Sequence, residues 1–182
     1  MTPSALQQRH RAEVAALTPS SGGASPSDVP VDGLWNALRQ EALENASAEP
    51  VLASFLHATV LNHDSFEAAL SFHLANKLCT PVLPPMTIRE LVEEALAADP
   101  GIAQAAEIDV IATRNRDAAC DRYATPFLYY KGFHALQTHR VAHWLWLNGR
   151  EQLALFLQHQ VSAALGVDIH PAARMGCGIM LD

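Results

Sequence analysis

The sequence predicts a mainly α protein, a multi-helix N-terminal domain followed by the start of a parallel β-helix of hexapeptide repeats. Three observations carry this expectation. From Asp32 to Leu165 apolar residues recur at helical spacing, with no strand-like alternation. Capping residues, prolines and glycines cut that stretch into about seven helices joined by short turns. After Gly166 the helical period gives way to a period of six.

The first 30 residues stand apart. Thr18 to Pro30 is Pro, Ser and Gly with almost nothing to bury, so residues 1–30 read as a flexible tail, with room for a short helix over Ser4 to Leu17. Asp32 can cap a helix with Leu34, Trp35, Leu38 and Leu43 on one side. Pro50 suits a first helical position, ahead of Val51, Leu52, Phe55, Leu56 and Val60. Asp64-Ser65-Phe66-Glu67 reads as a capping box for a helix reaching Leu78. Thr87-Ile88-Arg89-Glu90 is a cleaner box, opening a helix to about Ala98. Asp99-Pro100 begins another, to about Thr113, and Asn115 to Thr125 reads as a connection. Pro126 is expected to open the longest helix, closed at Asn148-Gly149 by a left-handed cap. Arg150 to Leu165 is the last helix, stopped by Gly166.

In residues 166–182 Ile169, Met175 and Leu181 recur every six positions, and Ala173 and Ile179 repeat at the same period. A helix would put residues 169 and 175 on opposite faces. In a hexapeptide β-helix such aliphatic residues point inward, but about three repeats are needed before coils bury one another. With two repeats before Asp182, the expectation is a sequence cut inside a longer protein. Ile169, Met175 and Leu181 should then lie exposed on a mobile stub. The domain reading is therefore 1–30 tail, 31–165 helical domain and 166–182 first partial coil.

Composition narrows the function classes. Of the 182 residues, 49% are hydrophobic and 17% charged, which supports a folded core. With 12 Lys+Arg against 19 Asp+Glu the net charge is −7, and no Lys/Arg run exists to neutralise phosphates, so nucleic acid is not an expected partner. Cys79, Cys120 and Cys177 are odd in number and widely spaced, which fits reduced thiols in a cytoplasmic protein. No apolar run approaches the ~20 residues of a membrane span, so no membrane partner is expected. Glu13 and the lack of an apolar N-terminal core argue against a targeting peptide. There is no Gly-rich phosphate loop and no nucleophile elbow. His139 and His143, at i and i+4, could share a metal, but no third ligand is near in sequence and no metal site is expected.

Four stretches resemble bacterial serine O-acetyltransferases: Tyr123 to Gln137, Arg140 to Trp146, Ala75-Asn76-Lys77-Leu78, and Val167 to Ala173. The likeness runs from about Leu34 to Asp182. The resemblance implies a helical domain followed by a left-handed β-helix, and acetyl transfer from acetyl-CoA to L-serine, giving O-acetyl-L-serine for cysteine biosynthesis. Acetyl-CoA is a co-substrate, with no bound cofactor. L-cysteine is a feedback inhibitor. The implied assembly is a homo-oligomer, a dimer of trimers, and O-acetylserine sulfhydrylase docks on a C-terminal tail beyond these residues.

The resemblance also assigns roles. Asp168 matches the aspartate that orients the catalytic histidine, Asp117 a substrate-side carboxylate of the helical domain, and Asp182 a carboxylate at the serine amino group. The histidine base itself follows the Leu-Asp of residues 181–182, so the 182 residues alone are expected to be inactive. Ala118 stands where the family usually has Pro after the aspartate. Taken from the residues alone, Asp117 is equally a solvated loop charge or a cap, Asp168 a turn residue before Pro171, and Asp182 a terminal residue without assigned role. The alternative to an enzyme is a non-catalytic helical oligomerisation module.

Overall fold

The computed structural model describes residues 31–181, the side chain of Asp32 excepted. The expected tail 1–30, the Asp32 cap and Asp182 therefore lie outside the described residues. Eight α-helices are present among them: α1 Val31–Ala48, α2 Ala53–Leu56, α3 Phe66–Leu78, α4 Pro85–Ala98, α5 Gly101–Arg116, α6 Ala124–Tyr129, α7 Lys131–Leu147 and α8 Glu151–Leu165. A 3-10 turn, Pro50–Leu52, leads into α2 and a π-helical turn, His57–Leu61, leaves it. The fold is mainly α as the sequence predicts, and no strand occurs among the described residues.

Local signals set most helix ends. Ser65 is the N-cap of α3, its hydroxyl accepting the Ala68 N–H at 3.2 Å. The cap is thus Ser65 and not Asp64, so Glu67 is the second helical residue and the box expected from Asp64 to Glu67 is not made. The box expected at Thr87 is overruled: α4 starts two residues earlier, because Pro85 fits a first helical position and Pro84 is extended before it. Asp99 does what its sequence suggests, accepting the Gly101 N–H at 3.1 Å. Helix α5 runs to Arg116, which shortens the expected connection. Gly149, with φ +74°, ends α7 in a Schellman motif: its N–H bonds Trp146 O at 3.2 Å and the Arg150 N–H bonds Leu145 O at 3.0 Å. Gly166, φ +75°, closes α8.

The largest departure concerns Pro126. It does not open the longest helix; it lies inside α6, and Tyr130, at φ −80° and ψ 115°, breaks the chain between α6 and α7. Two buried histidines hold the break. His73 Nε2 donates to Leu128 O at 3.1 Å and His134 Nε2 to Phe127 O at 2.8 Å, satisfying carbonyls at the end of α6. At its other end, Glu41 of α1 accepts the Tyr123 and Ala124 N–H groups at 3.2 and 2.7 Å.

Helix α7 runs through the centre, buried on every side from Gly132 to Leu145. It packs against α8, α5 and α4. Phe66, Phe127, Leu70, Leu74, Leu128 and Leu136 form part of the core around it. Leu38 belongs to this core too.

Residues 166–181 have no regular secondary structure. Among the described residues no second strand runs beside them to complete a ladder of hydrogen bonds. Contrary to the exposed stub expected from the sequence, Ile169, Met175 and Leu181 are each partly buried against the helices. Ile169 lines one small cavity together with Ala135, Ala142 and Leu157, and Met175 another together with Ile102, Trp144 and Leu147.

Candidate functional site: carboxylates at the ends of α5 and α7

Asp117 is the residue at which α5 stops, its N–H bonded to Thr113 O. Its carboxylate is half-buried and has two donors. Ala119 N–H reaches Oδ1 at 2.9 Å, closing a local turn, and the Tyr130 hydroxyl reaches Oδ2 at 2.8 Å. That hydroxyl comes from the break between α6 and α7. The bond to Asp117 pushes the Tyr130 phenol well above its ordinary ionisation range, so it remains a donor at neutral pH.

Two residues further along, Gly132 is the seat of the C-terminal segment. A Cβ placed there would stand 2.7 Å from the Leu181 carbonyl carbon and nearer still to its oxygen, so only glycine admits this approach. The start of α7 thus contacts Asp117 through Tyr130 and the backbone that precedes Asp182 through Gly132. Asp168 sits elsewhere. It is exposed beyond the end of α8 and accepts Gln158 Nε2 at 2.7 Å.

The segment between these points is held chiefly by its main chain. His143 Nδ1 donates to Pro171 O at 2.6 Å and His139 Nε2 to Ala173 O at 3.0 Å. Arg116 reaches Gly178 O. Asp109, fully buried on α5, accepts the Ile179 N–H on Oδ1 at 2.8 Å. On Oδ2 it accepts Arg140 Nη2 at 2.6 Å and Gln137 Nε2 at 3.0 Å. Arg140 Nε in turn donates to Gln137 Oε1 at 3.0 Å.

His139 and His143, at metal-sharing spacing in the sequence, are therefore committed to carbonyls. The remaining ring nitrogen of His134 is buried without a partner, and the His139 ring also faces the Ile169 backbone. Desolvation lowers both histidines to about 4, and His73 to about 3, so these rings are neutral. Among the described residues no group of three or more His, Cys, Asp or Glu could hold a metal ion.

Tyr130, Gln137 and Arg140 lie in the stretches that carry the resemblance, but neither they nor Asp109 is marked by the sequence as a site residue. One signal did exist: Asp109 falls within the apolar face of Ala105, Ala106, Val110 and Thr113, where an unpaired charge would be costly.

Fold and site define a helical domain that carries a half-open carboxylate at one end and grips a following extended segment by its backbone. The chain belongs to the serine acetyltransferase family. The family model described as "Serine acetyltransferase, N-terminal" matches residues 34–138. The serine acetyltransferase of Escherichia coli strain K12 is 57% identical over 149 residues, 82% of this chain and 55% of the relative. A solved serine acetyltransferase from Vibrio cholerae superposes with a TM-score of 0.82 at 56% identity, over 83% of this chain and 58% of that one. That of Neisseria gonorrhoeae, solved with serine, gives 0.80 at 50% identity, over 82% and 62%. Similar serine acetyltransferase structures hold CoA and cysteine. The chain spans about half the length of the curated relatives it matches. No helix of the described residues is long and apolar enough to cross a membrane.

Proposed function

We propose that this chain supplies the helical domain and the first substrate-side carboxylates of a cytoplasmic serine O-acetyltransferase. The serine hydroxyl attacks the thioester carbonyl of acetyl-CoA while a histidine base takes its proton. The acetyl C–S bond then breaks, and the CoA thiolate leaves and is protonated. In this reading Asp168 orients the base, while Asp117 and Asp182 hold the serine ammonium between two negative charges. L-cysteine, sharing that ammonium and carboxylate, competes for the same place. The family's further partners, a homo-oligomer arranged as a dimer of trimers and O-acetylserine sulfhydrylase, belong to this reading as well.

The observation that carries the proposal is the convergence at the start of α7. Asp117 and the Leu181 backbone come from distant stretches of sequence and contact residues two apart, Asp117 the Tyr130 hydroxyl and the Leu181 carbonyl the Gly132 backbone. The 57% identity to the Escherichia coli relative supports it. A second reading, a helical oligomerisation module without catalysis, draws on Leu43, Val51 and Leu52, large apolar residues left exposed on and after α1.

The test joins residues 1–182 in register to the remainder of the Escherichia coli enzyme and follows thiol release from acetyl-CoA. Serine-dependent release is expected from this chimera. The 182-residue chain alone should fall short by about 10²-fold or more, the usual cost of a missing general base. A folded but inert chimera that self-associates would favour the second reading. Turnover by the 182-residue chain within tenfold of the chimera would overturn the assignment of the base.

A further inference from the structure

We propose that Tyr130 is a positioning residue for the amino-acid substrate: its hydroxyl fixes the Asp117 carboxylate in the orientation that receives the ammonium group. This rests on the reading of Asp117 as a substrate-side carboxylate.

An aspartate at a helix end can rotate about two side-chain bonds. Here the two oxygens are held from different directions, Oδ1 by the Ala119 N–H and Oδ2 by the phenol, which sets the plane of the carboxylate. Each oxygen keeps a lone pair for a further donor. Asp117 is half-buried, so one side stays open to a small cation.

The charge of the donor matters as much as its place. A lysine or arginine in this position would neutralise the carboxylate before substrate arrived. A phenol that keeps its proton leaves the full negative charge. Two neighbouring cations have partners of their own: Arg116 on Gly178 O and Arg122 on Glu44.

The placement of the hydroxyl is built into the backbone. Tyr130 ends α6, its N–H bonded to Pro126 O, and starts α7, its carbonyl accepting the His134 N–H at 3.2 Å. The extended ψ between those two roles, with His73 and His134 on the α6 carbonyls, turns the side chain toward Asp117 rather than along a helix.

The test uses the chimera described above. Tyr130→Phe removes the hydroxyl and leaves the ring. The Michaelis constant for L-serine should rise about three- to tenfold, with kcat and the constant for acetyl-CoA within about twofold, because the grip on the ammonium is common to ground and transition states. Asp117→Asn should raise the serine constant further, and the double variant should be no worse than Asp117→Asn alone, since Tyr130 acts through that carboxylate. An unchanged serine constant in Tyr130→Phe, with an active parent, would overturn the proposal, as would effects that multiply in the double variant. A parent chimera without serine-dependent turnover would remove the functional reading and this proposal with it.

Discussion

Asp109 is charged and wholly buried, which is tolerable only because its two oxygens take three donors: an arginine, an amide side chain and a backbone N–H. The Arg140 guanidinium is almost equally buried. Taking two charges out of water is expensive, and their mutual attraction offsets that cost only while the geometry is complete. Asp109→Asn leaves Arg140 as a buried charge without its counter-ion and turns one acceptor into a donor facing donors. The expected loss is about 3–5 kcal/mol in urea unfolding at pH 7. A loss below about 1 kcal/mol would show that water reaches Arg140 and that the pair is not a stabilising centre.

At the scale of elements, α7 and the segment after α8 depend on each other. Helix α7 is buried all round yet carries His139, Arg140 and His143, polar groups that the apolar neighbours cannot satisfy. The main chain of residues 171–179 supplies the acceptors for the histidines and a donor for the Asp109 partner of Arg140. A fragment ending at Leu165 should therefore keep a helical far-UV spectrum but unfold at lower urea than the full chain. The difference should be at least about 2 kcal/mol, given ~1–3 kcal/mol for each buried group left unsatisfied. Equal stability of the two chains, or a β-dominated spectrum of the fragment, would contradict this. The same elements show where sequence patterns reach their limit. Ser65, Gly149 and Gly166 act within one turn of themselves, and their roles are visible in sequence. The break at Tyr130 is held by His73 from another helix, so Pro126, a familiar helix opener, was misleading.

For the whole molecule, the buried histidines set a pH dependence. His134 and His139 are lowered to about 4 and His73 to about 3, all first by desolvation, and His63 is lowered for the same reason. In the unfolded chain a histidine titrates near ~6.5. As pH falls below that value the unfolded state takes up protons that the folded state refuses. The stability is therefore fully present above about pH 6.5 and is lost as pH falls toward about 4 for His134 and His139, and toward about 3 for His73. Each contributes a slope of up to ~1.4 kcal/mol per pH unit within its window, so the summed effect should exceed that of any single carboxylate over the same range. Urea midpoints at pH 7.5, 6.5, 5.5 and 5 measure it. A profile flat from 7.5 to 5 would mean that these rings accept protons in the folded state.

The helical class, most of the element order, the change of period after Gly166 and the family are all legible from the residues alone. These follow from local spacing, from caps and from long motifs, all of which act between near neighbours. The separation of α6 from α7, the pairing of Asp109 with Arg140 in one buried centre, and the seating of Ile169, Met175 and Leu181 against the helices come from the packed molecule. So do the contact of Tyr130 with Asp117 and the separate position of Asp168. Each of these depends on a partner from another part of the chain, and burial, which makes an unpaired polar group costly, selects that partner only once the helices have packed.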